Sequence, residues 1–192
     1  MKFDCEMVKI KEEEKEEYKN TVNPRGVFPY LVTEEGGLGE SLAIARFMCN
    51  STPECTIYGS TPQEKSEIDE IIEKSFALMT TCFGGVYGPL LGYFPTTDEK
   101  FKADMKKFKD HLRSLDGLVK DKEFAYGDSL TIADIFLIVH LNQALATVID
   151  AGFRKAIPNL TAWYEKLRST ELFMTALGKP IFCSKPGKPM IK

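Results

Sequence analysis

The stretch YGDSLTIADIFLIVHL at residues 126–141 places one carboxylate, Asp134, inside an otherwise apolar run. An ionised carboxylate that is buried without partners is strongly destabilising, so the fold must supply Asp134 with hydrogen-bond donors. Thr131 lies three residues earlier, which is the spacing of a capping box at the start of a helix. Leu130 and Ile135 stand at the two positions of a hydrophobic staple. The pattern predicts a buried helix that begins at Thr131, in which Asp134 is structural rather than catalytic.

The residues after Thr131 are apolar on nearly every side, which is typical of the central helix of a bundle. Apolar residues at helical spacing also predict a helix from Ser66 onward and another over residues 158–176. Residues 84–97 are rich in Gly and Pro and are expected to interrupt the helices. A further helix is predicted by the one-sided stripe of Phe101, Met105, Phe108, Leu112, Leu115 and Val119.

The first fifty residues have a different pattern, which predicts a small α/β piece. Residues 5–10, CEMVKI, and 30–33, YLVT, are predicted strands, and EEGGLG at 34–39 is a predicted hairpin turn. Residues 11–20 predict a charged, solvated helix, and residues 40–50 predict a helix with apolar residues available for burial. Residues 51–63 are rich in Ser, Thr and Pro and are predicted to connect this piece to the helical part.

Composition excludes several classes of function. The net charge is −3 and the pI about 5.6, so no overall basic field points to direct nucleic-acid binding. No apolar run has the ~18 residues that a membrane span needs, and the acidic N-terminus does not resemble a signal or transit peptide. The five cysteines are scattered without a CxxC, which predicts reduced thiols in the cytoplasm. With two histidines in the chain, we expect no metal site.

Few residues carry an obvious catalytic signal. The glycine clusters do not match the spacing of a phosphate-binding loop. His140 is expected to be a hydrogen-bonded core or interface residue rather than a base, and Cys49 and Cys82 to be buried apolar side chains rather than nucleophiles. A solvated face explains the lysines of the helix near residue 105, although a phosphate-bearing partner could also use Lys102, Lys106, Lys107 and Lys109.

Glu40-Ser41 is the strongest candidate for ligand binding. A strand, a turn and a helix that starts at Glu-Ser would place backbone N–H groups and a hydroxyl where a carboxylate ligand can bind. The alternative, which we favour from the sequence, is that Ser41 only caps the helix. Phe28-Pro29 precedes a predicted strand and is a candidate for a cis peptide bond.

These segments together resemble the glutathione transferase fold. NPRGVFPYLVTEEGGLGESLAIARFM resembles the family's stretch from the cis-proline to the Glu-Ser helix, and YGDSLTIADIFL resembles the start of its sixth helix. The resemblance implies an α+β, mainly α fold with a truncated thioredoxin-like N-terminal subdomain over 1–52 and a linker over 53–63. An all-α transferase C-terminal domain, a helical bundle, is expected over 64–178, followed by a loose Pro/Lys-rich tail over 179–192.

Within this fold, YGSTPQEKSEIDEIIEKSFALM, FRKAIPNLTAWYEKL and ELFMTALGKPIFCSKP resemble the transferase-like domain of the elongation factor 1-gamma family. The resemblance implies a non-catalytic scaffold in a translation complex. The implied partner is the subunit that exchanges guanine nucleotide on the tRNA-delivering GTPase, or another complex subunit, and a homodimer is a further expectation. The resemblance also implies a cytoplasmic protein without direct nucleic-acid contact.

The sequence departs from the family in three respects. Four residues precede CEMVKI, where the family has a strand and a helix that carry its catalytic Tyr, Ser or Cys, so no residue is assigned a catalytic role. The resulting gap is expected to leave a sheet edge for a partner or for self-pairing. Val27 and Phe28 replace a Lys and a Val of the family's motif, which removes a basic group near a peptide ligand. The chain also stops at Lys192, where the gamma family continues into another domain.

Two alternative functions remain beside the scaffold. An active glutathione transferase would bind glutathione, the only cofactor expected, through Phe28, Pro29, Glu40 and Ser41. It would also lower the pKa of the glutathione thiol. A structural subunit of an unrelated large assembly is the third hypothesis.

Overall fold

The computed structural model describes residues 5–192 and divides the chain into two compact units, one up to Tyr58 and one from Gly59 onward. Helices make up 57% of the structure and strands 5%, which confirms the predicted α+β, mainly α class. The sheet lies in the first unit, and the second unit is a helical bundle.

The first unit contains a β-hairpin between helices. In chain order its elements are a 3₁₀ turn (Glu12–Glu14), α1 (Lys15–Thr21), β1 (Tyr30–Thr33), β2 (Gly36–Gly39) and α2 (Ser41–Asn50).

The hairpin shows that the predicted turn at 34–39 was too long. The two strands pair antiparallel, with Thr33 opposite Gly36, so the turn consists of Glu34 and Glu35 alone. Glycines hid the second strand from sequence reasoning because they have low strand propensity. Gly37 is nevertheless required for packing, since a Cβ there would overlap the ring of Tyr30.

The predicted strand over residues 5–10 is wrong. These residues have no regular structure, and Met7 and Val8 are largely exposed. A strand is stable only when its backbone N–H and C=O groups pair with a neighbour, and the described sheet consists of β1 and β2. The alternating pattern of residues 5–10 does not show whether a neighbouring strand is there to pair with.

The second unit is a bundle in which a long helix, α3, lies against two others. The helices are α3 (Pro62–Cys82), a π-helical turn (Phe83–Tyr87), α4 (Gly88–Leu90), α5 (Asp98–Leu118), α6 (Ile132–Thr147), α7 (Ala151–Arg154), α8 (Pro158–Arg168) and α9 (Glu171–Leu177). α3 packs against α5 and α6, and α8 packs against α5, α6 and α9.

α6 lies in the centre of the bundle, and α3 and α5 turn their apolar sides towards the core. Along α6, Val139 is the exposed apolar residue. The apolar residues predicted along α5 are buried from Phe108 to Val119, whereas Phe101 and Met105 at the start of the helix are half-buried. The core also includes Ile68, Ile72 and Leu78 of α3, Leu137, Ile138 and Leu141 of α6, and Leu160, Trp163 and Leu167 of α8.

α3 begins earlier than predicted, and helical backbone continues beyond its end. It starts at Pro62, four residues before the predicted start and inside the predicted connector. Thr61 and Glu64 form a capping box there, with Thr61 N donating to Glu64 Oε2 at 3.0 Å. The signal T-P-x-E was present in the sequence. At the other end, helical backbone continues through Gly84 and Gly85 to Leu90, because a π-helical turn accommodates the expected interruption.

Gly85 and Gly84 form a matched pair for mutation. A Cβ on Gly85 would lie 2.5 Å from the Cβ of Asp104, which is fixed to the backbone of α5, whereas a Cβ on Gly84 would meet nothing within 4 Å. We expect Gly85→Ala to destabilise the bundle by about 1–3 kcal/mol through overpacking. Gly84→Ala should raise the free energy of unfolding by about 0.5–1 kcal/mol, because alanine favours the helix. Denaturant unfolding of both variants checks this, and equal stabilities would contradict the close approach of α5.

The predicted helix over residues 158–176 is two helices. α8 ends at Arg168, and α9 begins at Glu171. Ser169 and Thr170 turn their hydroxyls back onto the carbonyls of Lys166 and Leu167, which satisfies backbone groups at the break. Ser and Thr side chains that bond to backbone groups compete with continuation of the helix. The Ser-Thr pair was therefore a signal for the break, but the apolar spacing on both sides favoured one continuous helix.

The C-terminal tail is held by backbone hydrogen bonds, so the expectation of a loose tail is wrong. Cys183 N donates to Leu145 O of α6 at 2.7 Å. Near its end, Met190 N donates to Pro89 O at 2.8 Å, and Thr96 N donates to Met190 O at 2.9 Å. Pro and Lys composition did not reveal these contacts because main-chain groups make them.

Candidate functional site

The turn before β1 is fixed by a small buried polar cluster. Tyr18 Oη and Asn23 Nδ2 each donate to Val27 O at 2.9 Å, and Asn23 is almost fully buried. The ring of Tyr18 stacks on that of Phe28 with centroids 4.7 Å apart. The Phe28-Pro29 peptide bond is cis. The cluster therefore sets the direction in which the chain enters β1.

Pro29 and Glu40 flank the last pair of the hairpin ladder. Tyr30 pairs with Gly39, so Pro29 directly precedes this pair and Glu40 directly follows it. Glu40 has φ +70°, a region that residues other than glycine rarely adopt. Such backbone strain occurs often at ligand sites.

Glu40, and not Ser41, occupies the N-cap of α2, and its side chain makes no capping hydrogen bond. The interpretation of Ser41 as a simple cap is therefore wrong. Ser41 is the first helical residue and is exposed. The first N–H groups of a helix have no intrahelical acceptor, so this end of α2 can bind an anion.

Arg25 lies at the same place, which sequence reasoning missed. Its Nη1 is 3.4 Å from Glu40 Oε1, and its Nη2 would be 2.4 Å from a Cβ on Gly39. The loss of the family's Lys at Val27 therefore leaves another basic group beside the candidate site. The only sequence signal that Arg25 lies beside the candidate site was its position in the same turn, two residues before Val27.

Asp134 is fully buried and accepts three hydrogen bonds. Ala125 N donates to Oδ1 at 2.6 Å, and Thr131 N and Oγ1 donate to Oδ2 at 2.7 and 2.9 Å. Burial raises the pKa of Asp134, and these hydrogen bonds act in the opposite direction. Ala125 is a donor that the local pattern did not reveal, and through it Asp134 joins α6 to the preceding loop. The predicted staple contact of Leu130 with Ile135 stays a prediction.

His140 lies against α3 and has a polar partner. Its Nδ1 is 3.0 Å from the hydroxyl of Ser75, which is fully buried and donates to Ile72 O at 2.8 Å. The rings of Phe76 and Phe136 flank the imidazole. Burial lowers the pKa of His140 below its ordinary value.

The His140 environment predicts an acid-sensitive step in stability. Because the pKa is lower in the folded than in the unfolded state, the unfolded state binds more protons as the pH falls below about 6.5. The contribution of neutral His140 is therefore present above that pH and is lost on acidification. We expect His140→Gln to flatten the fall in unfolding free energy between pH 7.5 and 5, by at most about 1.4 kcal/mol per pH unit. His111→Gln, which removes the other histidine, is the control, and an unchanged slope in His140→Gln would contradict the assignment.

Several exposed apolar side chains lie in the connection between α3 and α5 and in the tail near it. Phe83 and Tyr93 are 57% and 67% exposed, and their ring centroids are 6.4 Å apart. Met190 of the tail reaches Gly92, where its methyl group would lie 3.5 Å from a Cβ. We call Phe83, Leu91, Tyr93 and Met190 the aromatic patch. Exposed aromatic and Met side chains in one place are typical of protein–protein interfaces.

Other candidate chemistry is weak. Cys49 and Cys82 are buried, and desolvation raises the pKa of the Cys82 thiol, which disfavours its thiolate. Within residues 5–192 no cluster of three or more His, Cys, Asp or Glu side chains could hold a metal ion, and the five cysteines form no disulfide. No helix in the same residues is long and apolar enough to cross a bilayer.

A β-hairpin behind a cis-proline, followed by a helical bundle with a capped central helix, defines a glutathione transferase-like fold. The family description "Glutathione S-transferase, N-terminal domain" matches residues 2–55, and "Glutathione S-transferase, C-terminal domain" matches residues 98–166. The chain therefore belongs to the glutathione S-transferase family.

Its relatives include both translation factors and transferases. The chain is 30% identical over 157 residues to a probable elongation factor 1-gamma 2 of Arabidopsis thaliana, across 82% of this chain and 38% of that protein. It is 27% identical to the glutathione S-transferase stcT of Emericella nidulans, across 86% of this chain and 75% of that protein. The chain thus spans about two fifths of the length of the elongation factor.

Among solved structures, the fold matches the GST-like domain of elongation factor 1-gamma from Saccharomyces cerevisiae. The TM-score is 0.81 with 15% identity, and the match covers 91% of this chain and 82% of that chain. At this level of identity the similarity shows the fold alone.

Proposed function

We propose that the chain is a non-catalytic docking module of a translation elongation complex, acting in the cytoplasm. The aromatic patch carries this proposal, because exposed Phe, Tyr and Met side chains stabilise interfaces by removing apolar surface from water. Similarity in sequence and fold to elongation factor 1-gamma proteins supports it. The proposed partner is the guanine-nucleotide-exchange subunit of elongation factor 1.

The test uses the double variant Phe83→Ser/Tyr93→Ser and purified exchange subunit. The parent chain is expected to co-elute with the subunit in stoichiometric amounts, and the double variant should bind at least about tenfold more weakly, the scale of lost interface hot spots. Leu172→Ser, which changes an exposed apolar residue on α9, is the control. A parent that elutes alone, or a double variant that binds like the control, would contradict the proposal.

A second candidate function is glutathione conjugation, which the geometry at α2 favours. Glu40 at positive φ, the open helix end at Ser41 and the nearby Arg25 could hold the carboxylates of a tripeptide, with Phe28 and Pro29 beside it. Similarity to stcT supports this alternative. Calorimetric titration with glutathione tests it, together with conjugation of an aryl halide. Saturable binding that weakens in Arg25→Ala would favour it over the docking module. No heat of binding at two temperatures, together with no conjugation, would exclude it.

A further inference from the structure

Four basic residues share one side of α5. Lys102, Lys106, Lys109 and Arg113 follow one another at steps of four, three and four residues, which places them along a single helical face. The row is about 16 Å long, from the rise of 1.5 Å per residue. We call these four residues the α5 stripe. It is a local reversal of sign in a chain whose net charge is −3.

The stripe is poorly neutralised by the rest of the described chain. Within residues 5–192, its three lysines form no ion pair, and Arg113 pairs with Asp110 of the same helix at 2.8 Å. Some lysines elsewhere on the bundle do have acidic neighbours. Lys74 lies 2.6 Å from Glu70, and Lys166 lies 2.9 Å from Glu123. What distinguishes this face is that the unpaired charges of Lys102, Lys106 and Lys109 follow one another along one side of a helix.

An apolar groove runs between these charges. It has a volume of about 430 Å³, and the half-buried side chains of Phe101 and Met105 form part of its lining. At the far end of the stripe, the ring of Phe153 of α7 lies 5.1 Å from Lys109 Nζ and 5.5 Å from the Arg113 guanidinium. Cation–π contacts of this kind hold the two cations over the ring. The face therefore combines positioned positive charge with exposed apolar surface.

We propose that the α5 stripe docks an acidic amphipathic segment of a partner protein. Its carboxylates would lie against the lysines, and an apolar side chain between them would enter the groove at Met105. A peptide fits this face better than a nucleic acid, because apolar side chains of a peptide can bury the half-buried Phe101 and Met105 between the charges. The stripe would be a second contact surface beyond the aromatic patch, and it does not depend on which partner binds that patch.

The experiment measures binding of a fluorescent, acidic helical peptide to the full chain. The peptide has about 15 residues, enough to follow the stripe, with Glu on one side and Leu along its edge. The parent chain is expected to bind it with an affinity that falls as salt rises. Lys102→Glu/Lys106→Glu should reduce the affinity at least tenfold, and Met105→Gln should reduce it severalfold.

Lys107→Glu/Lys120→Glu is the matched control, since it makes the same change in net charge at exposed lysines outside the stripe. We expect it to bind within about threefold of the parent, because separated surface charges are screened by salt. The proposal is overturned if this control loses as much affinity as the stripe variant. It is also overturned if a Gln-for-Glu peptide binds equally well, or if poly(U) RNA displaces the peptide. Phe83→Ser/Tyr93→Ser should still bind the peptide, so its failure with the exchange subunit is separate from this result.

Discussion

Asp134→Ala is expected to lower the free energy of unfolding by about 3 kcal/mol or more. The substitution leaves Ala125 N–H and Thr131 N–H buried without an acceptor, and each unsatisfied group costs about 1–3 kcal/mol. This loss outweighs the relief of removing a buried carboxylate, whose pKa is already raised by desolvation. Chemical denaturation at pH 7 checks the prediction, and we expect a large shift in midpoint with little change in slope.

Two further variants make the Asp134 prediction specific. Asp134→Asn keeps the shape of the side chain, but its amide N–H₂ would face backbone donors, so it should also be clearly destabilised. Asp128→Ala removes an exposed carboxylate from the same loop and should change stability by no more than about 0.5 kcal/mol. If Asp134→Ala unfolds at the same denaturant concentration as Asp128→Ala, the structural role of Asp134 is wrong.

Arg168→Ala is expected to have a comparable effect, of about 3–4 kcal/mol. The side chain is fully buried, and its guanidinium donates to Asn142 Oδ1, Phe173 O and Leu177 O at 3.2, 3.0 and 3.1 Å. Arg168 thereby joins α8 to α6 and to the carboxyl end of α9, where a positive charge is favourable. Truncation removes the donor to Leu177 O, leaves Asn142 Oδ1 with Tyr164 Oη as its remaining donor, and creates a cavity.

Arg168→Lys separates the role of charge from that of shape. A lysine keeps the positive charge but cannot reach acceptors on two helices with a planar fork, so we expect it to recover less than half of the lost stability. Lys166→Ala, on the same helix but exposed, should be close to neutral. Thermal and denaturant unfolding monitored by circular dichroism measures all three. Arg168→Lys as stable as the parent would show that charge alone matters there.

Local signals explain which elements could be predicted. The apolar residues along α5 recur every three or four residues, and Thr131 and Asp134 are three residues apart. Such local patterns fix a helix and its buried side through backbone geometry. The strand at residues 5–10 failed because a strand depends on a neighbouring strand, which the sequence of the segment does not contain. β2 was missed for the related reason that Gly37 is required by the ring of Tyr30 across the hairpin, which the glycine itself does not reveal.

The candidate sites also divide into features with a local sequence signal and features that depend on distant segments. Glu40 and Ser41 were identified from the sequence because a helix start has a local signature, whereas Arg25 was missed because only the turn brings it to Glu40. The aromatic patch was missed because the exposure of Phe83 and Tyr93 depends on how the connection between α3 and α5 folds, and Met190 reaches it through main-chain hydrogen bonds of the tail. The Pro- and Lys-rich composition near residue 190 predicted a loose tail, but backbone hydrogen bonds to Pro89 and Thr96 hold it in place.

By itself, the sequence determined the helical class of the second unit, the burial of α6 and the need to satisfy Asp134, since these depend on spacing along one helix. Only the tertiary structure decided that Ala125 is a donor to Asp134, that Arg168 holds the end of α9, and that exposed apolar side chains gather into the aromatic patch. The physical reason is that hydrogen bonds and surfaces between distant segments depend on how helices pack, and packing is a property of many residues at once.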